Sequence, residues 1–270
     1  MIRWSNNWLL HFHPDKCKVV EMGNKRSKTY EYQIDGKKLK HETSEKDLGV
    51  ITDGSLNFKE HIEAKIKKAN SIAGLIRRSF SHLDEKMFKK LYVALVRPHL
   101  EYAQSVWSPQ HEGDIKLIED VQRRATRQVP TLKGLEYKER LRKLGLPSLR
   151  YRRLRGDMIE CFKITNGYYD ANVSDILLYA DTVQTRTGLK SQTSKKLYFR
   201  TAKTNARNHN FTLRIVSPWN SLAGSIMNAP SLNSFKNRLD HYWKNEEILY
   251  DHTAKYYPEN NIGRVEMKEN

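Results

Sequence analysis

The stretch LYVALVRPHLEYAQSVWSP, from Leu91 to Pro109, holds a dense group of apolar side chains. Apolar residues recur at helical spacing in its first half: Leu91, Tyr92, Leu95 and Val96. Pro98 restricts the residue before it, which predicts a break or a kink after Arg97. Three large side chains follow the proline: Leu100, Tyr102 and Trp107. We expect this stretch to be an apolar anchor on which flanking helices dock, with its aromatic rings in the core.

An apolar stripe predicts a long helix before the anchor. Its members recur at threes and fours: Phe58, Ile62, Ile66, Ala69, Ala73, Ile76 and Phe80. A second helix is expected to begin near Asp84, because Asp84 and Glu85 favour the positive end of a helix dipole. After the anchor, the pattern predicts a third helix from about Asp114 to Val129. Residues 137–167 predict a short helix, a turn, and a longer helix that ends near Gly167.

The two ends of the chain have a different character. Trp4, Trp8 and Leu9 predict an N-terminal helix that Pro14 stops, and its missing cap suggests that the chain is a truncated piece. Three β-type runs follow, at residues 16–23, 29–36 and 46–54, with turns at Asp35-Gly36 and Asp53-Gly54; they predict a small antiparallel sheet.

The C-terminal part is polar, and the sequence has no acidic residue between Asp181 and Asp240. Residues 197–199 and 211–222 predict two strands and a turn anchored by a tryptophan. Residues 234–243 predict a final amphipathic helix, and a disordered polar tail is expected after Asn245.

These patterns predict an α+β fold that is mainly α. Its expected segments are a small sheet at 1–56, a helical bundle at 57–169, a smaller mixed and basic region at 170–245, and a tail at 246–270. The chain has 48 Lys and Arg against 31 Asp and Glu, a formal charge of +17. Such a charge favours a polyanionic partner, nucleic acid first and an anionic membrane surface second.

No apolar run approaches the length of a spanning helix, and the N-terminus does not resemble a secretory signal. We therefore expect no membrane insertion and a nuclear or cytoplasmic protein that is not secreted. The two cysteines fit a reducing compartment.

The sequence offers little for catalysis. It has no Asp-Asp pair of the kind that two-metal phosphoryl transfer uses. The carboxylate pairs Asp84-Glu85 and Glu119-Asp120 are expected to serve as helix-start charge and a solvated helix face. A metal site at His11, His13 and Cys17 is not expected, because a fourth ligand is missing.

Basic residues on the predicted helices are the candidate binding site. They are Lys67, Lys68, Arg77 and Arg78 on one helix, Arg123, Arg124 and Arg127 on another, and Arg150, Arg152, Arg153 and Arg155 on a third. Lined along one groove, they would contact phosphates without reading sequence. The alternative is that they are ordinary solvated faces. Stacking of Tyr102, Trp107 or Trp219 on bases is a second, less favoured role for these rings.

Several motifs resemble, in order, the C-terminal part of a non-LTR retrotransposon reverse transcriptase of the chicken-repeat and jockey kind. The similar segments are WLLHFHPDKCKVV (8–20), SEKDLGV (44–50), KKAN (67–70), LVRPHLEYAQSVWSP (95–109), IEDVQRRATR (118–127), SLRYRRLRGDM (148–158) and SPWNSL (217–222). The resemblance implies a palm edge followed by a thumb, which would begin near Phe58. It implies an auxiliary role for Lys16 and a primer-grip role for Leu48, Gly49 and Val50.

The resemblance implies an RNA-directed DNA polymerase fragment that binds template–primer nucleic acid through its backbone. The partner would be RNA, DNA or an RNA–DNA duplex. Without the Asp-Asp motif we expect it to be inactive alone and to hold no metal cofactor, whereas Mg²⁺ is expected in the intact parent polymerase. The missing palm and fingers could come from another chain. The alternative function is a helical protein–protein interaction scaffold derived from a retroelement.

Overall fold

The computed structural model describes residues 2–23, 30–170, 173, 176–180, 195–254 and 256. The fold is α+β and mainly α, as the sequence predicts. The chain forms two compact units, Met1–Ala64 and Lys65–Asn270, and their boundary falls inside a long helix. The division into four segments stays a prediction.

Short strands pair within the first unit. Those in the described residues are β1 Lys18–Val20, β2 Gln33–Ile34, β3 Lys37–Lys38, β4 Lys40–Glu42, β5 Ser44–Asp47 and β6 Val50–Asp53. The pairs β2–β3 and β5–β6 are antiparallel, as the sequence predicts, and β1 and β4 add a parallel pair. The N-terminal helix, α1, spans Ile2–Asn7 and ends well before Pro14, which instead opens a 3-10 turn.

Two tight turns fix the antiparallel pairs. The turn at Asp35 and Gly36 is confirmed, with φ of 49° and 76°. Leu48 and Gly49 form the other turn, with φ of 44° and 85°, values that suit the twist of a two-residue hairpin loop. Residues 46–54 therefore belong to two strands, β5 and β6, and the expectation of a single run was wrong.

Asp53 instead leads the chain into the first long helix. Its carboxylate accepts hydrogen bonds from the backbone N–H groups of Ser55 and Phe58, both at 2.9 Å. Aspartate favours this type of local bond to the backbone two residues on. The turn predicted at Asp53-Gly54 is therefore confirmed, since β6 ends at Asp53 and the chain turns at Gly54 and Ser55.

Helices make up most of the second unit. Continuing from the first, they are α2 Lys59–Ser79, α3 Glu85–Leu91, α4 Pro98–Glu101, α5 Gln104–Trp107, α6 Glu112–Thr126, α7 Tyr137–Leu144, α8 Leu149–Thr165, α9 Asn205–Asn208, α10 Phe211–Arg214, α11 Val216–Asn220, α12 Gly224–Met227 and α13 Leu232–Tyr242. Asp84 caps α3, as predicted, since its carboxylate accepts a bond from the Met87 N–H at 2.7 Å.

A wide helical turn connects α3 to α4. Residues Tyr92–Val96 are π-helical, and the Arg97 N–H donates to the Tyr92 carbonyl at 2.9 Å. Pro98 lacks an N–H and its ring would press on the carbonyl four residues before it in an ordinary α-helix. The wider turn accommodates the ring, so the helical path bends past the proline rather than stopping there.

The anchor supplies several core side chains, although Leu95 is 47% exposed. Leu100 and Trp107 are each 1% exposed, and the Trp107 Nε1–H donates to the Tyr102 carbonyl at 2.6 Å. The Tyr102 ring, however, is 54% exposed, so the expectation that it belongs to the core was wrong. A left-handed backbone at Ala103, with φ of 53°, reverses the chain after Tyr102.

Helix α8 is the central element of the second unit. It contacts α5, α6, α11 and α13. One of its faces joins a cluster of buried aromatic side chains: Tyr151, Phe162, Trp219, Phe235 and Trp243. The rings of Phe162 and Phe235 stack with centroids 4.3 Å apart.

The prediction of two strands in the C-terminal region was wrong. Residues 211–220 form α10 and α11, and Leu197 joins Tyr179 by an isolated bridge alone. Asn210 caps α10 by accepting the Thr212 N–H at 3.0 Å, and this start signal outweighs the β-type pattern that follows it. Buried Trp219 donates to the Lys195 carbonyl at 2.8 Å.

Part of the predicted tail packs on the helices. Ile248 and His252 are 3% and 7% exposed, and the Ser148 hydroxyl donates to the Ile248 carbonyl at 2.6 Å. The expected disorder after Asn245 is therefore not found up to Ala254, and residues 257–270 lie outside the described residues. None of the described helices has the length and apolar character needed to cross a membrane.

Candidate nucleic-acid interface

The candidate residues of α2 all point to solvent. Lys67, Lys68, Arg77 and Arg78 are exposed, whereas Ala69, Ala73 and Ile76 on the opposite face are buried. The stripe that predicts this helix therefore also predicts which face carries its charge. These four cations therefore extend over about three turns of the helix surface.

Helix α6 adds two exposed cations to those of α2. The Arg124 guanidinium donates to the Asn70 Oδ1 at 3.4 Å, and Asn70 lies in sequence between the two pairs of α2 cations. Arg124 and Arg127 are exposed. We call the six exposed cations of the two helices the basic ridge: Lys67, Lys68, Arg77, Arg78, Arg124 and Arg127.

Arg123 turns away from solvent. Its guanidinium lies 5.1 Å from the Tyr137 ring centroid, and its Nε lies 3.5 Å from the Asp120 carboxylate. Its Nη2 lies 3.4 Å from the Nε2 of His252. Of the predicted pair, Arg123 thus packs against neighbouring side chains, and Arg124 lies at the surface.

The arginines of α8 are engaged in ion pairs within the fold. Arg152 makes two bonds to Glu101, Arg155 binds Asp240 at 2.5 and 2.8 Å, and Arg150 binds Glu112 at 2.9 Å. These residues stay predicted contacts, but their charge is already balanced by carboxylates.

Arg153 is buried, at 5% exposure. Burial lowers the pKa of its guanidinium to about 10, against the opposing effect of Glu119. A phosphate outside the fold cannot reach this side chain in the observed arrangement.

Glu119 is the carboxylate opposite this buried charge. It is 0% exposed and accepts bonds from the Tyr137 hydroxyl at 2.6 Å and the Leu149 N–H at 2.9 Å. Burial raises its pKa, and the Tyr137 bond opposes that rise. The expectation of a solvated face was therefore wrong for Glu119. A signal was present, since Glu119, Gln122 and Thr126 recur at helical spacing beside the apolar stripe.

Three further residues lie at the start of the ridge, Lys65, His99 and Tyr102, and the sequence marked only Tyr102 among them, with base stacking as its less favoured role. The Lys65 Nζ lies 5.7 Å from the centroid of the Tyr102 ring. Burial, Lys68 and Lys65 together lower the pKa of His99, which places this imidazole close to both lysines. The short motif from Arg97 to Tyr102 contained two of these residues, His99 and Tyr102, but the tyrosine was assigned mainly to the core.

The candidate residues of the first unit lie on its turns. Lys16 ends the 3-10 turn and is exposed. Leu48 is 85% exposed at the tip of the β5–β6 hairpin, and Val50 is 6% exposed at the start of β6. Within the described part of the chain, His, Cys, Asp and Glu side chains form no group of three or more that could hold a metal ion.

Over about half of its length, the chain is similar to the reverse transcriptase of a retrotransposon. It is 30% identical over 133 residues to the RNA-directed DNA polymerase from mobile element jockey of Drosophila funebris, and the match covers 47% of this chain and 14% of that polymerase. It is 28% identical over 126 residues to an uncharacterised protein of Caenorhabditis elegans, covering 46% of this chain and 64% of that protein. The chain thus spans less than two thirds of either relative. Family models and solved structures give no match.

Proposed function

We propose that the second unit binds a template–primer nucleic acid through its sugar-phosphate backbone, as part of a retroelement reverse transcriptase. The observation that supports this proposal best is the Arg124–Asn70 contact, which joins exposed cations of α2 and α6 into one ridge. The similarity to the jockey polymerase favours nucleic acid over other polyanions.

The chemistry of the ridge favours phosphate contacts over base reading. Lys and Arg side chains held at the surface by helices neutralise phosphates and release counterions. Each such contact fixes position without choosing sequence. The affinity should therefore be similar for duplexes of different sequence and should fall steeply with salt.

We further propose that the carboxylates for DNA synthesis, and the Mg²⁺ that they bind, belong to a part of the polymerase outside this chain. The full sequence has no Asp-Asp pair. In such an assembly the residues of this sequence hold the duplex, and a palm and fingers outside them carry out the transfer.

A salt titration with matched variants tests the ridge. In R124A/R127A two exposed cations of the ridge are lost, while in the control K143A/K244A two exposed cations outside it are lost. We expect the ridge variant to bind an RNA–DNA duplex more weakly, with a slope of log K against log salt reduced by about 2. The control should keep the wild-type slope.

Equal slopes for both variants and the wild type would contradict the ridge as the binding site. Absence of wild-type binding at low salt would contradict nucleic-acid binding itself. An acidic protein partner would still be recovered with the chain after nuclease treatment, and that result would favour the interaction-scaffold alternative.

A further inference from the structure

Tyr102 is a large aromatic ring held in solvent by a rigid backbone. Its ring is 54% exposed, while its carbonyl accepts the indole N–H of fully buried Trp107 at 2.6 Å. Its own N–H donates to the Pro98 carbonyl at 3.0 Å. The backbone on either side of the ring is therefore tied to the core, and little conformational freedom is lost if a ligand packs on the ring.

Positive charge surrounds this ring. The Lys65 ammonium lies 5.7 Å from its centroid, and Lys68 is close enough to depress the pKa of the neighbouring His99. The adjacent carboxylate of Glu101 is bound by Arg152 and lies 3.6 Å from the Nε of Arg97. Because two guanidiniums neutralise Glu101, it offers little repulsion to an approaching anion.

The ring also lies beside one end of the basic ridge, since Lys68 of the ridge is one helical turn from Lys65 on the same face of α2. An aromatic face bordered by cations is the arrangement that binds single-stranded nucleic acid, where each base stacks on a ring and each phosphate meets a cation. A continuous duplex cannot use such a ring in the same way, because its base faces are already stacked on one another.

We propose that Tyr102 stacks on an unpaired base of a nucleic-acid strand whose phosphates contact Lys65 and Lys68. The site would bind a single-stranded segment that continues from the duplex held by the ridge. The inference rests on the proposed function, and it adds a contact that the ridge alone does not provide.

The test compares two ligands, a blunt RNA–DNA duplex and the same duplex with a single-stranded template overhang. The variants are Y102A, which lacks the ring, and Y102F, which retains it. We expect Y102A to lose about tenfold in affinity for the overhang ligand. It should bind the blunt duplex as the wild type does, and Y102F should match the wild type on both ligands.

Tyr169 provides a matched control. It too is an exposed tyrosine with a lysine ammonium, Lys163, 5.8 Å from its ring centroid, but neither residue belongs to the basic ridge. Y169A should therefore leave the affinity for both ligands unchanged. A fluorescent base analogue in the overhang should be quenched by the wild type and by Y102F, and much less by Y102A.

The outcomes separate the two proposals. If the wild type binds the blunt duplex with the expected salt dependence but Y102A binds the overhang ligand as tightly as the wild type does, the stacking site is excluded and the ridge stands. If Y102A loses the same affinity for both ligands, the ring is not a single-strand site. If the wild type binds neither ligand, both proposals fail. Thermal unfolding of Y102A at the wild-type midpoint excludes misfolding as the cause.

Discussion

Single residues in this protein carry charge in two distinct settings, exposed on the ridge or enclosed with a partner. Glu119 and Arg153 are enclosed, and Glu119 is the carboxylate that most favours the charged form of Arg153, so loss of its charge removes much of the compensation of that buried cation. We expect E119Q to lower the free energy of unfolding by about 3 kcal/mol or more, because the uncharged amide cannot balance Arg153.

Urea unfolding followed by circular dichroism measures this change. The matched control is E112Q on the same helix, since Glu112 binds Arg150 but its side chain is 73% exposed. That exposed pair should contribute less than about 1 kcal/mol. Equal effects of the two variants would show that the enclosed carboxylate has no special role.

His252 gives the protein a predictable response to acid. Burial and the nearby Arg123 lower the pKa of this imidazole in the folded state. The unfolded chain therefore binds a proton more readily, so stability is full above the unfolded pKa of about 6.5 and falls as the pH drops below it.

We expect the free energy of unfolding of the wild type to decrease between about pH 7 and pH 5, and H252Q to lose part of this dependence. His99 contributes in the same direction, since burial and Lys68 lower its pKa as well. The double variant H99Q/H252Q should therefore show the flattest profile. If the double variant keeps the wild-type pH dependence of the free energy of unfolding, the two histidines are not its source.

Among the elements, α8 and α13 depend on each other through one aromatic pair. Phe235 of α13 is 0% exposed and stacks on Phe162 of α8 at 4.3 Å, with Trp219 at 6.0 Å. We expect F235A to lower the free energy of unfolding by about 3–5 kcal/mol, because the cavity cannot collapse between rigid rings. The exposed neighbour variant N237A should change it by less than about 0.5 kcal/mol. Chemical denaturation of both variants gives the comparison.

Elements with a strong local signal were predictable from the sequence, and those decided by long-range packing were not. The apolar stripe of α2 and the cap of α3 at Asp84 depend on neighbouring residues alone, so their patterns were sufficient. The short helices at 211–220 were mistaken for strands because their burial is set by α8, far away in the chain.

The candidate site shows the same division. Exposure of the α2 cations follows from the stripe, whereas the burial of Arg153 does not, because it depends on how α8 meets α6. The expectation that the Tyr102 ring lies in the core was wrong for a related reason. The left-handed turn at Ala103, a conformation that alanine adopts rarely, directs the ring outward and leaves no sequence signal.

At the scale of the whole molecule, a formal charge of +17 makes the folded state sensitive to polyanions. A ligand that binds the folded state alone raises the free energy of unfolding, by about 2.7 kcal/mol at a hundred times its Kd. We expect an RNA–DNA duplex to raise the melting temperature at low salt, and the increase to vanish at high salt because screening weakens the phosphate contacts.

Thermal unfolding with and without the duplex, in both salts, measures this effect, and neutral dextran serves as the control for crowding. A rise in melting temperature that persists at high salt would indicate a binding mode that does not depend on charge. R124A/R127A should show a smaller rise than K143A/K244A, which links the whole-molecule response to the ridge.

The wide turn at Tyr92–Val96 has a consequence for how this helix can vary in length during evolution. A π-turn accommodates one residue more than the α-helical ladder would use, and exposed Ala94 is such a surplus residue. Deletion of that residue alone would restore the α-helical ladder and force the Pro98 ring against a carbonyl. It would also rotate the residues after the deletion, including Tyr102, about the helix axis. The proline and the additional residue should therefore be gained and lost together among relatives, as a single inherited unit.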